Sequence, residues 1–571
     1  MIKRILLMEK KKVDVKRIVY TFAMLLLCTV AFVRGVGGGD WWNAAVSCLG
    51  FALFPVIVMR YGFKSFLKIP YLIWLVISVP AAAIIIHKFY YSAIHRMAFA
   101  LLVVECVFYG LVIIRIVYSI VKKEIGEELK KLNPLFYICL AFFVFASVSV
   151  NQATWPIFYG VFFISFYLAP SDEKDGETLF LSLADALLIS FFLIQSFAFL
   201  HRPYDQVRYV GAYTNSNLNG MFYFCAYIAW LSKYFYFCKK ESPKALRIIH
   251  FLFACAMWSF ALLTISRSSL MAFVFSTIVF LVTAEVLILK KSFVKGFLLK
   301  GICMLCVFLI SFPLVFACVR FIPPLRHHPI WITEYSEDFV HSYDPWNSPK
   351  YIDLKEFFGT FVGRFDIENV DEKSSVTTEQ KLIKENNAFP GEKTDNKTSA
   401  GEYVEKGDKV LSYPDGIVPG TDATHPAYTK ETYQGLEKIL GIRKYIYGYF
   451  LTHLNLKGQE REYPFVWLFS WYQVLHAHNS YLQIAYCFGI IAGILFTALS
   501  LYGLITPIVY IVRKREKAQW YLVFIALAQT GIFVISIVEN ISFPGKMMFS
   551  LLFVTLLPLM RLKKEDDREK K

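Results

Sequence analysis

Ile69-Pro70-Tyr71-Leu72-Ile73-Trp74-Leu75-Val76-Ile77-Ser78-Val79-Pro80-Ala81-Ala82-Ala83-Ile84-Ile85-Ile86 is an apolar run without one charged side chain. At about 1.5 Å per residue, a helix of this length covers most of a ~30 Å hydrocarbon layer. A barrel strand would be about half as long and would alternate apolar with polar residues. Lys68 precedes the run and His87-Lys88 follow it, so polar groups bracket the apolar segment at both ends.

The pattern recurs along the whole chain of 571 residues. Apolar residues make up 56% and charged ones only 18%, against about 25% charged in soluble domains. Composition therefore excludes a soluble enzyme and predicts an all-α integral membrane protein. About fourteen runs meet the length criterion, from 18–33 to 546–560. Among them are 135–150, 155–169 and 480–509, and the run at 155–169 is short enough to be re-entrant. The first follows the basic residues Lys10-Lys11-Lys12 and Lys16-Arg17 and leads into Arg34-Gly35 with no small-residue cleavage site, as in a retained signal anchor.

Charge sets the expected orientation. With the N-terminus in the cytoplasm, inner segments such as Lys122-Lys123, Lys239-Lys240 and Arg513-Lys514-Arg515 hold about 32 Lys and Arg, and the short outer loops about 7. The net charge of +16 is then topological, and no nucleic-acid partner is expected. The organisation read from this pattern is an N-terminal transmembrane block over 1–318 (about eleven spans), a large extracytoplasmic loop over 319–475, and a C-terminal block of about three spans over 476–560. A basic cytoplasmic tail follows over 561–571. The loop carries 18 basic and 23 acidic residues and no cysteine, so it has no disulfide framework. Within it, 353–365 reads as an amphipathic helix suited to a membrane surface. Residues 366–430 are polar and poor in aromatics. Gly435 to Leu454 carry Ile439, Ile442, Ile446 and Phe450 at helical spacing.

Three polar constellations interrupt the apolar background. Arg208-Tyr209-Val210-Gly211-Ala212-Tyr213-Thr214-Asn215-Ser216-Asn217 joins a planar cation to an amide-rich helix start, a combination that suits an oxyanion. Its plainer reading is an interfacial arginine beside a cap made by Asn215 or Ser216. Thr264-Ile265-Ser266-Arg267-Ser268-Ser269 puts Arg267 in a turn with almost no loop, where a charge is costly unless it is used. His476-Ala477-His478-Asn479 opens the run at 480, with Asn479 placed to cap the helix or to orient His478. The H-x-H spacing raises zinc, but histidines two apart on a helix diverge and no further ligand motif accompanies them, so no metal is assigned. An imidazole at an outer cavity suits general-base work near neutral pH. Gly489 and Gly493 form a small-xxx-small pair for close helix approach. Glu539, at the outer end of a late span, is a candidate cavity-lining residue with Asn215, Asn217 and Asn479. The predicted topology places Arg208, Arg267 and the two histidines on one face, which suggests an anionic, lipid-borne substrate.

These segments resemble the O-antigen ligase/polymerase family of bacterial membrane glycosyltransferases. The resemblance rests on R-x-x-G-x-x-x-N-x-N at 208–217, on S-R-S at 266–268, on R-x-x-I-Y…L-N-L-x-G from Arg443 to Gly458, and on H-A-H-N-S-Y-L-Q…F-G-I-I-x-G at 476–493. It covers about residues 180–545, and departs from the family at Ser216, where proline is usual. It implies a polytopic GT-C-like bundle in a bacterial cytoplasmic membrane, to which the apolar runs give about 12–14 transmembrane helices, with an extracytoplasmic, metal-independent and cofactor-free active site. The implied donor is a glycan on undecaprenyl diphosphate and the acceptor a sugar hydroxyl. Arg208, Arg267 and Arg443 would contact the diphosphate, and His478, with His476 second, would act as base in an inverting transfer. Repeat-unit polymerisation is favoured because a long loop suits reading a repeat; ligation of the glycan to another acceptor shares the same motifs. A chain-length regulator and a flippase are candidate partners. The reading from another class is a lipid-linked sugar transporter, which would use mid-span charges such as Glu105, Arg115, Asp185, Lys233 and Glu285.

Overall fold

The computed structural model describes residues 14–36, 41–90, 96–199, 204–205, 208–213, 215–322, 354–365, 443–462, 464, 466–469, 472–474, 476–542 and 546–562. Helices dominate, as the apolar runs require, and the chain is an all-α polytopic membrane protein. Eight helices among the described residues are long and apolar enough to cross a membrane. A ninth span is added if Glu124–Lys130 and Pro134–Ser147, bent by 107°, count as one. The opening run is one of the eight, a helix over Ile69–Tyr90.

The expectation of twelve to fourteen spans rests on apolar run length, and the helices refine it. Pro134–Ser147, Trp155–Leu168 and Met547–Met560 are 14 residues each, about 21 Å of rise against a ~30 Å layer. They nevertheless form one aromatic core. Phe143 stacks on Phe163 at 9°, Phe163 meets Phe553 at 5.0 Å, and the Tyr167 hydroxyl donates to the Phe553 carbonyl at 2.7 Å. Each such ring pair contributes about 0.5–1.5 kcal/mol, and close packing is the main force between helices in lipid.

The run read as one span over 480–509 is two helices, Ser480–Phe488 and Ile490–Lys514, broken at Gly489. The chain turns back there, so a Cβ on Gly493 would lie 2.4 Å from the Cβ of Ala485 in the preceding helix. Gly493 therefore does serve close approach, but Gly489 is the break and not a second small residue on the same helix face.

The chain divides into two compact units, one of residues 1–351, 447–464 and 476–571, the other of 352–446 and 465–475. Residues 447–464, expected as part of the loop, thus belong to the helical unit. In the second unit, Leu354–Phe365 is helical as the amphipathic pattern requires. The second helical run is observed as Arg443–Thr452, with Ile446 and Phe450 buried; its expected beginning at Gly435 lies outside the described residues. So does the polar stretch 366–430. Two short antiparallel ribbons were not expected: Tyr204–Asp205 with Arg208–Tyr209, and Val466–Phe469 with Tyr472–Val474.

Four of the five mid-span charges named above are paired, and the fifth, Glu105, is buried with neither carboxylate oxygen hydrogen-bonded among the described residues. Asp185 binds Lys233 at 2.5 Å and Arg17 at 2.7 Å. Glu285 pairs with Lys291 and accepts from the Tyr234 hydroxyl at 3.2 Å. Arg115 pairs with Glu124 at 3.2 Å.

Candidate functional site

Arg208 sits on the second strand of the first ribbon, paired to Asp205. Its neighbour Tyr209 is buried and accepts from the Gln195 side-chain amide at 2.8 Å, while Gln195 accepts from the Tyr223 hydroxyl at 2.6 Å. That anchoring turns Arg208 toward the helix hairpin. Its Nε donates to the Thr264 carbonyl at 3.1 Å, and its Nη2 donates to Asn217 Oδ1 at 2.7 Å.

The asparagines divide the work. Asn215 caps the helix Ser216–Lys239 by accepting from the Asn217 amide at 2.7 Å. This is the plainer of its two sequence readings. Ser216 is the first helical residue, a position proline also tolerates because its N–H has no helical partner. Serine is therefore compatible with the turn at this position. Asn217 points back across the site, where its Nδ2 donates to Glu539 Oε1 at 3.1 Å.

Arg267 opens the helix Arg267–Phe280, three residues after the carbonyl that Arg208 holds. The turn before it is strained. Ile265 has φ 48°, a left-handed conformation that a β-branched side chain strongly disfavours. Ser266 Oγ meets Ser269 Oγ at 3.0 Å, and Gly220 leaves room for both Ser269 and Thr264, since a Cβ there would fall 2.6 Å from the Ser269 hydroxyl. Two arginines thus share one corner of the bundle, with Arg267 exposed.

The histidines meet this corner through Glu539. His478 Nδ1 lies 3.6 Å from Glu539 Oε2, with the two side chains 27% and 12% exposed. His478 has φ 48°, a strained value for any non-glycine residue, and strain of this kind gathers at functional sites. The rings of His476 and His478 are 4.1 Å apart, and the His478 amide donates to His476 Nδ1 at 3.2 Å. That bond occupies one nitrogen of His476 and separates the roles of the two imidazoles. Asn479 is a helix cap: its Oδ1 accepts from the Leu482 amide at 2.9 Å and its Nδ2 donates to the Ile537 carbonyl at 2.9 Å. Ser480 Oγ donates to the Glu539 carbonyl at 2.9 Å, which ties the Glu539 backbone to the same motif.

A third segment braces the histidines. Residues 453–462 dock backbone to backbone on the break at Gly489. The Gln459 amide donates to the Tyr486 carbonyl at 3.1 Å and the Ile490 amide to the Asn455 carbonyl at 2.9 Å. Gly458 and Gly489 both have positive φ, and a Cβ on either would lie 2.2 Å from a carbonyl oxygen opposite. Gln483, fully buried, accepts from the Ala477 amide at 2.7 Å and donates to the Glu462 carbonyl at 2.8 Å. Glu462 accepts from the Trp155 indole at 2.9 Å, and burial pushes its carboxyl up to about 7 despite that hydrogen bond. Tyr447 donates to the His478 carbonyl at 3.4 Å. Sequence reasoning passed over Gln483 and Glu462; the signal was a lone amide in an apolar helix and an acid beside the L-N-L-x-G turn.

The fold therefore gathers Arg208, Asn217, Glu539, His478 and His476, with Arg267 on the turn that Arg208 grips and Asn215 and Asn479 as caps. Arg443, at the start of its helix, belongs to the second unit. Among the described residues no cluster of three or more His, Cys, Asp or Glu side chains is arranged to hold a metal ion. Comparison with protein-family models, curated proteins and solved structures finds no match to this chain.

Proposed function

We propose that this protein transfers a glycan from a lipid diphosphate carrier to a sugar hydroxyl, and that it does so repeatedly, polymerising a surface polysaccharide. One observation carries the reading. A line of contacts runs from a guanidinium through Asn217 and Glu539 to an imidazole in a polytopic membrane protein. Guanidinium groups suit a diphosphate, which gains charge as it leaves, and preorganised donors at developing charge are among the strongest catalytic devices.

In the proposed step the acceptor hydroxyl attacks the anomeric carbon as the bond to the diphosphate breaks. The lipid diphosphate departs with the electron pair, held by Arg208 and Arg267. His478 takes the hydroxyl proton. His476, whose Nδ1 receives the His478 amide, acts as a brace. Ligation of a finished glycan to another acceptor uses the same chemistry. Of the mid-span charges a transporter would use, Asp185, Lys233 and Glu285 are met by fixed partners, while Glu105 is buried and its carboxylate makes no hydrogen bond among the described residues.

The test is reconstitution. Purified protein in lipid nanodiscs is incubated with a synthetic lipid-diphosphate repeat unit, and the products are separated by size. A ladder of longer glycans, formed with EDTA present, is the expected result. Unchanged repeat unit, from donors of several sugar compositions, would remove the assignment.

A further inference from the structure

Asn217 is held in one orientation. Guanidinium groups only donate and an ionised carboxylate only accepts, so Oδ1 must face Arg208 and Nδ2 must face Glu539. The distances of 2.7 and 3.1 Å agree with that assignment. The amide is therefore a one-way connector between a cation and an anion. At the far side of Glu539, the buried His478 Nδ1 makes no hydrogen bond, and the carboxylate oxygen facing it stands 3.6 Å away. This is a gap just beyond hydrogen-bond length.

We propose that Glu539 is the positioning residue of His478, and that Asn217 couples its carboxylate to Arg208, so that an oxyanion bound at Arg208 is felt at the imidazole. The first half follows from the gap. Closing it lets Nδ1–H donate to Glu539, which fixes the tautomer and leaves Nε2 to accept a proton. The carboxylate then faces the imidazolium that forms. The second half follows from competition for one guanidinium. An oxyanion on Arg208 draws donors away from Asn217 Oδ1. The amide then draws less on Glu539 Oε1, and the carboxylate is released toward His478. Donor binding and acceptor activation become linked.

Among the described residues, other groups also meet His478. His476 meets its amide and ring, and Tyr447 meets its carbonyl. Glu539 is the acid opposite Nδ1, and Arg208 lies beyond Asn217. The inference takes its chemical purpose from the proposed glycosyl transfer, but its test does not depend on turnover.

Diethyl pyrocarbonate acylates neutral imidazole. Its rate at His478, followed by tandem mass spectrometry of the full-length protein in nanodiscs of phosphatidylethanolamine and phosphatidylglycerol, gives a pH midpoint for that ring. Glu539→Gln, which keeps shape and removes charge, is expected to lower the midpoint by about one pH unit, a tenfold change in the protonation equilibrium. Glu539→Asp should fall between the two. An unchanged midpoint in Glu539→Gln overturns the positioning role. Saturating inorganic pyrophosphate should raise the midpoint in the wild type, and raise it less in Asn217→Ala. An equal rise in both proteins is a through-space effect and overturns the Asn217 link, as does no rise in the wild type. If the midpoints behave as stated while the wild type makes no polymer, the wiring stands and the proposed activity fails.

Discussion

His478 and Glu539 approach to 3.6 Å although each ends a different part of the C-terminal bundle. One precedes the helix Ser480–Phe488 and the other follows Trp520–Val538. The contact is framed by backbone: Ser480 binds the Glu539 carbonyl, and Asn479 binds that of Ile537. Two helix ends are laced together so that an imidazole and a carboxylate face each other.

Exchange of His478 for alanine is expected to lower polymer formation by roughly 10²–10⁴-fold, the range for a general base. His476→Ala should cost less, because it removes a brace for the His478 amide rather than the base itself. Chain-length analysis of polysaccharide from cells producing each variant, normalised to protein in the membrane, makes the comparison. Equal losses would mean that the two rings act as one unit.

Arg208→Lys should fail almost as fully as Arg208→Ala. Arginine makes two divergent bonds here, to the Thr264 carbonyl and to Asn217. One ammonium cannot reproduce that planar fork. Arg267→Lys should keep more activity, since Arg267 is exposed beyond the turn and can act as a charge alone. Transfer rates at several donor concentrations distinguish the pairs. Full activity of Arg208→Lys would show that the fork is not used.

Gly458→Ala is expected to destabilise the folded protein by roughly 1–3 kcal/mol through backbone strain alone. The added Cβ would also fall 2.2 Å from the Cys487 carbonyl. Since Gly458 opposes the break at Gly489, the same change should disturb the nearby histidine motif. Thermal unfolding in detergent, followed by size-exclusion fluorescence, checks the first point. A wild-type melting profile would mean that the docking of the two turns is dispensable.

Glu462 gives a pH signature. Burial raises its carboxyl to about 7 in the folded protein, against an ordinary value near 4.5. Folding therefore favours the protonated acid. Its contribution is full below about pH 4.5 and is lost as pH rises toward and past 7. Glu462→Gln, which can still accept from Trp155, should gain in melting temperature relative to wild type as pH is raised from 5 to 8. A constant difference over that range would show that the carboxyl does not titrate there.

Much of this protein is legible in its sequence. Runs such as 69–86 have to become helices, because lipid offers nothing to unpaired backbone groups. Arg208, Arg267 and His478 stand out because polar groups beside hydrocarbon are costly and must be satisfied. Local spacing also reveals the cap residues Asn215 and Asn479, whose bonds span two or three residues.

Tertiary structure decided the rest. Nothing in a one-dimensional pattern distinguishes a long span from a helix that breaks at Gly489 and folds back, because both are apolar throughout. Nor does it show that Asn217 bridges Arg208 to Glu539, or that Gln483 ties the histidine turn to Glu462. Those bonds join side chains that are remote along the chain, and their geometry is set by how whole helices pack. Burial and periodicity determine which residues must be helical and which polar groups need partners; only packing determines which partners they find.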